Sequence, residues 1–136
     1  MKEGHDCMKD YKDTLMGTLG IDILEAEEGR VVATMPVDHR THQPMGLLHG
    51  GASVALAETV ASMGGFLLVD SEKEAVVGLE INANHIKGKR EGIVTATGTV
   101  LHRGKKTQIW EIRITDEENE LISISRCTLA VIQLKK

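Results

Sequence analysis

Between residues 42 and 62 the chain sets histidines, paired glycines and a single carboxylate at spacings that suit attack on an activated carbonyl. The run His42-Gln43-Pro44-Met45-Gly46-Leu47-Leu48-His49-Gly50-Gly51 leads directly into an apolar stretch over residues 50–69. Gly50 and Gly51 would open a helix there. Glycine at a helix start lets a ligand approach the backbone closely. The free N–H groups and the positive helix end suit an oxygen that gains negative charge, the requirement of an oxyanion hole. Glu58 is the only Asp, Glu, Lys or Arg between Arg40 and Asp70. In an apolar pocket, desolvation would make such a carboxylate a stronger base. Ser62 follows four residues later on the same helix face, within reach of a water or leaving group. Each feature has a plainer reading: a tight turn for the glycines, a solvent-facing group for Glu58, a solitary helix hydroxyl for Ser62.

Helix geometry adds a constraint. His49 and Glu58 are nine residues apart, which on a helix is a rotation of about 900° and a rise of about 13 Å. They lie on opposite faces and cannot easily serve one site within one chain. A site that uses both the Gly50 amide and Glu58 therefore needs a second subunit, and a homodimer is expected.

The elements that must hold these residues follow from periodicity and turn signals. Residues 8–19 read as a short helix ended by Gly17 or Gly20, and residues 21–27 and 30–37 as strands joined at Glu28-Gly29. Residues 38–48 are irregular, and residues 50–69 form the one long helix. Four strands follow, over 77–85, 93–101, 107–115 and 121–132, with turns between them. In the first of these Val77, Leu79, Ile81 and Ala83 would share one face, opposite Glu80, Asn82 and Asn84. Thr95, Thr97 and Thr99 alternate with Val94, Ala96 and Val100, and Trp110, Ile112 and Ile114 oppose Glu111 and Arg113. Helix, two strands, long helix, four strands predicts an antiparallel sheet in a single α+β domain over residues 1–136, with 1–14 loosely held. The long helix is apolar nearly all round and must be covered on every side, by a sheet that curls around it and by a partner chain.

Composition narrows the classes. At 136 residues, with 41% hydrophobic and 26% charged, the chain suits one globular core. Tyr11, Phe66 and Trp110 are its only aromatic residues. A net charge of −4 gives no reason to expect nucleic acid as a partner, so an anionic ligand needs a local basic patch. Two such clusters exist, His85 with Lys87, Lys89 and Arg90, and His102 with Arg103, Lys105 and Lys106; each is either a solvated turn or a cradle for phosphates. Cys7 and Cys127 match no metal spacing and are expected as reduced thiols. With no apolar leader at the N-terminus, a cytoplasmic protein is expected. Residues 50–69 barely reach the length of a membrane span and carry Glu58 near the middle, so none is expected. His39, His42 and His49 fit no standard zinc pattern, and no metal site is expected. Neither G-x-S-x-G nor a Walker motif is present.

The segments GLLHGGASVALAETVASMGG, VVGLEINANH and TQIWEI together resemble the hotdog-fold acyl-CoA thioesterases of the phenylacetate and 4-hydroxybenzoyl-CoA type. The branch most similar contains the 1,4-dihydroxy-2-naphthoyl-CoA and enterobactin-proofreading thioesterases. The similarity runs over residues 15–132. It implies a helix wrapped by an antiparallel sheet, assembly into dimers and commonly tetramers, and acyl-CoA as substrate, with coenzyme A part of the substrate and no separate cofactor. By residue, it implies Glu58 as nucleophile or general base, and the Gly50 amide as the group that polarises the carbonyl. Gln43 and His49 would orient carbonyl or water, and Ser62 would sit near the thiolate. Gly78, His85, Ile86, Lys87 and Gly88, with His102, Arg103, Gly104, Lys105, Lys106 and Thr107, would contact coenzyme A. Thr59 and Ala61 stand where some relatives carry Ser and Gly. Two other activities stay open at this point: a hotdog enoyl-CoA hydratase or dehydratase, and a non-catalytic acyl-CoA binding module.

Overall fold

A computed structural model describes residues 10–135; Cys7, and the start of the helix expected over residues 8–19, lie outside the described residues. Within them, that helix is split. A 3-10 turn, Tyr11–Asp13, precedes helix α1, Leu15–Leu19, and Thr14 separates the two. The Thr14 hydroxyl takes the Met16 N–H at 3.3 Å, the usual N-cap role of threonine. Gly20 ends α1 at φ 76°, with Ile21 N–H donating to the Met16 carbonyl, a left-handed cap that glycine adopts without steric cost.

Strands β1 (Asp22–Glu27), β2 (Arg30–Val37), β3 (Glu74–His85), β4 (Gly92–Arg103), β5 (Thr107–Thr115) and β6 (Leu121–Gln133) form one antiparallel sheet in the order β1-β2-β4-β5-β6-β3. Helix α2, Gly50–Leu67, lies across its inner face. Leu56, Ala57, Val60 and Ala61 of α2 pack on Ala33, Met35, Val94, Ala96, Trp110, Ile112, Ile114, Cys127 and Leu129. Close approach depends on missing side chains. A Cβ at Gly64 would lie 2.3 Å from the Trp110 ring, and one at Gly98 would lie 2.5 Å from Val60. Beside this contact runs a buried polar chain. The Trp110 indole N–H donates to Gln108 Oε1 at 2.9 Å, and Gln108 Nε2 donates to the Gly65 carbonyl at 3.3 Å. At the far end of α2 the Arg103 guanidinium donates to the Leu68 carbonyl at 2.5 Å, completing the C-terminus.

One expectation about the strands is corrected. In β3, Gly78 pairs with Leu129 and Glu80 with Thr128, so Leu79 is an extra residue in a β-bulge. The bulge reverses the alternation on its N-terminal side. Ile81 keeps its expected place against the core, but Val77 and Leu79 do not join it: they are 45% and 61% exposed. The simple two-residue period failed because one inserted residue shifts everything before it to the other face.

Candidate active site

The N-terminal end of α2 is held by the irregular segment before it. His49 caps the helix, its Nδ1 accepting the Gly51 N–H at 2.7 Å. His49 N–H itself donates to the Thr41 carbonyl, and those of Ala52 and Ser53 to the His49 carbonyl. That leaves the Gly50 N–H as the one backbone donor of residues 49–53 with no acceptor among the described residues. Gln43 turns its Oε1 back to the Met45 and Leu47 N–H groups, at 2.5 and 3.3 Å, which leaves its amide NH₂ as the free end. Gln43, Gly50, Ser53, His85, Ile86, Lys87 and Gly88 line one cavity of about 320 Å³. His85 reaches it from the end of β3 and sits against Gly50: a Cβ there would be 2.9 Å from His85 Nε2.

Two turns further along α2, Glu58 is half-buried and has no hydrogen-bond or ion-pair partner among the described residues. Its carboxylate lies over Gly78 of β3, where a Cβ would be 2.3 Å from Oε2. The next turn opens into an apolar cavity of about 650 Å³ lined by Met16, Thr59, Ser62, Met63, Phe66 and Leu134, among others. Thr59 Oγ1 donates to the Ala55 carbonyl at 2.7 Å. Nearby, burial and then the charges of Glu58 and Glu80 push the Cys127 thiol up to about 11. That thiol stays protonated and unreactive at neutral pH.

Residues 45–123, more than half of the chain, match the thioesterase superfamily. The chain belongs to the thioesterase superfamily. This thioesterase is 51% identical to the 1,4-dihydroxy-2-naphthoyl-CoA hydrolase of Listeria monocytogenes, over 90% of this chain and 98% of that protein. It is 48% identical to the Escherichia coli protein of the same description, over 97% and 90%. The crystal structure of a mutant thioesterase from Pseudomonas aeruginosa superposes with a TM-score of 0.89 at 45% identity, covering 91% of this chain and 89% of that one. The fold is therefore the hotdog fold, and the enzyme is a thioester hydrolase.

The thioesterase distributes its sequence-derived site residues over several places. Gln43, Gly50, His85, Ile86, Lys87 and Gly88 converge on the smaller cavity. His49 does not: its ring lines a separate depression of about 280 Å³ with Arg40, Thr41, His42 and Gly51. Glu58 meets Gly78, and Ser62 lies in the apolar cavity. His102, Arg103, Gly104, Lys105, Lys106 and Thr107 form the β4–β5 hairpin, where Arg103 is bonded to the C-terminal end of α2. The basic cluster after β3 is not a row of free cations. Lys87 pairs with Asp116 and Glu120, and Lys89 pairs with Glu117 at 2.6 Å. Sequence reasoning missed Ser53 and Leu47 in the cavity wall, and the pairing of the turn at residues 116–120 with the basic cluster. Four charged residues in the five positions from Asp116 to Glu120 were the available signal. Among the described residues no cluster of three His, Cys, Asp or Glu side chains converges on a metal-sized site, and no helix is long and apolar enough to cross a membrane.

Proposed function

We propose that this thioesterase hydrolyses an acyl-CoA ester with an aryl or medium-chain acyl group to the carboxylic acid and free coenzyme A. The observation that carries the reading is the unpaired Gly50 N–H at the positive end of α2, set in a cavity with Gln43 and His85. A donor left free there donates to the carbonyl oxygen of the thioester and stabilises it as it becomes an oxyanion. Glu58 is the carboxylate that acts on the carbonyl carbon. Either it adds directly, giving an acyl-enzyme anhydride that water then opens, or it takes a proton from a water that adds instead. In both routes the C–S bond breaks and the thiolate leaves and is protonated. Gln43 orients carbonyl or water, His49 fixes the Gly50 amide by capping α2 through its Nδ1 on the Gly51 N–H, and the Ser62 hydroxyl lies on the side of the leaving group. The apolar cavity beyond Glu58 takes the acyl group, with Phe66 in its wall, and the 1,4-dihydroxy-2-naphthoyl-CoA hydrolases among the relatives favour an aryl one. His85, Ile86, Lys87 and Gly88 would follow the pantetheine arm. The hairpin from His102 to Thr107, with Lys105 and Lys106 exposed, would meet the phosphates.

The unit of function is at least a homodimer, and the resemblance favours a homotetramer. Eight residues of helix separate Gly50 from Glu58, about 12 Å along the axis, too far for both to touch one carbonyl. The long strand β3 lies at an open sheet edge with Val77 and Leu79 exposed, an arrangement that soluble proteins normally cover. Antiparallel pairing of β3 with the same strand of a second copy, centred near Ile81 and Asn82, would carry Glu58 and Gly78 of one chain toward the Gly50 end of the other.

Glu58→Gln removes the charge with little change in shape. Turnover of an acyl-CoA, followed by thiol release, should fall by roughly 10²–10⁴-fold with the fold intact by circular dichroism. Near-normal turnover would refute the assignment.

A further inference from the structure

Building on Glu58 as the catalytic carboxylate, we propose that Gly78 and the bulge at Leu79 form a seat that positions the Glu58 carboxylate, so that Gly78 acts through Glu58. Two observations lead there. A Cβ at position 78 would fall 2.3 Å from Glu58 Oε2 and 3.3 Å from its Cδ, so the carboxylate occupies the space that any other residue would fill. The bulge decides which residue that is. Val76, Ile81 and Ala83 pair with Val131, Cys127 and Ser125 along the inner face of β6. A regular strand in phase with Ile81 and Ala83 would turn Leu79 and then Val77 beneath the helix, and either would exclude the carboxylate. One extra residue at Leu79 brings Gly78 there instead.

The seat makes a separable prediction. Gly78 has no left-handed φ, so alanine fits its backbone. The atom that must yield is the end of a flexible side chain, so the fold should tolerate the change while the carboxylate retreats by about 1 Å to reach ordinary contact. A misplacement of that size costs about 100-fold in the chemical step.

The test compares wild type, Gly78→Ala and Glu58→Gln on benzoyl-CoA and on the benzoyl thioester of N-acetylcysteamine, which lacks the nucleotide and most of the pantetheine arm. The seat requires kcat of Gly78→Ala to fall about 100-fold on both thioesters with KM held within about twofold. It also requires that adding Gly78→Ala to Glu58→Ala does not lower the melting temperature below that of Glu58→Ala alone, because the displaced group is gone. A rise in KM confined to benzoyl-CoA would overturn the proposal in favour of a coenzyme contact. So would wild-type kcat in Gly78→Ala beside an inactive Glu58→Gln, or an equal loss of melting temperature in both backgrounds. Wild-type turnover by Glu58→Gln is a different failure: it removes the catalytic reading of Glu58, and the seat with it.

Discussion

The imidazole of His85 occupies the space that a side chain at Gly50 would need, with Nε2 2.9 Å from the position of a Cβ. The opposite exchange occurs along the same two elements, where the Glu58 carboxylate of α2 occupies the space above Gly78 of β3. Each element thus leaves a glycine open for a side chain of the other.

Gly50→Ala tests the first exchange. Gly50 has no left-handed φ, and alanine is the better helix former, so thermal stability should hold or rise. The added methyl group pushes the His85 ring into the cavity where the thioester carbonyl would sit. We expect kcat/KM to fall about tenfold or more while the melting temperature does not. Unchanged kcat/KM would show that the crowding at Gly50 does not matter for turnover.

A site shared across two chains predicts complementation. Neither Glu58→Ala nor Gly50→Val should be active alone. Mixed under subunit exchange, half of randomly formed dimers are hybrids with one intact site, so about a quarter of wild-type turnover should return. No recovery, with exchange demonstrated by mass spectrometry, would place the whole site within one chain.

Removing the buried polar chain tests what anchors α2 on β5. Gln108→Leu keeps the volume roughly constant but leaves the Trp110 indole N–H and the Gly65 carbonyl without Gln108. Stranding buried polar groups costs about 1–3 kcal/mol. Urea denaturation should show a lower midpoint with an unchanged slope; an unchanged midpoint would mean that water replaces the lost partner.

Acid sensitivity should trace to the ion pairs beside the cavity. The Lys89 ammonium, with the Ile93 N–H, holds the Glu117 carboxyl well below its ordinary 4.5, at about 2. The hydrogen bonds of Arg40 likewise hold Asp38 at about 2. A carboxyl depressed in the folded state binds its proton more readily once unfolded. Its contribution is complete above the unfolded value and is lost as pH falls through the folded one. Thermal stability should therefore decline from about pH 4.5 to about 2. Glu117→Gln should decline less steeply over that window, and a parallel decline would show that the pair contributes nothing.

Much of this protein is legible in its sequence alone. Six strands and one long helix follow from two-residue alternation, Gly and Asn at the turns, and an apolar run too long for a strand. The Gly50-to-Glu58 spacing and its resemblance to thioesterases also lie within local sequence, because a helix start and a helix face are set by neighbours in the chain. Other features depend on residues far apart in sequence. The bulge at Leu79 is a matter of register against β6, so no periodicity within β3 shows it. The pairing of Lys87 and Lys89 with Asp116, Glu117 and Glu120 joins segments some thirty residues apart. In the sequence Gly78 is a strand glycine that the resemblance assigns to coenzyme A. Only the tertiary structure put the Glu58 carboxylate above it, because the space a missing side chain leaves takes its meaning from whatever packs against it.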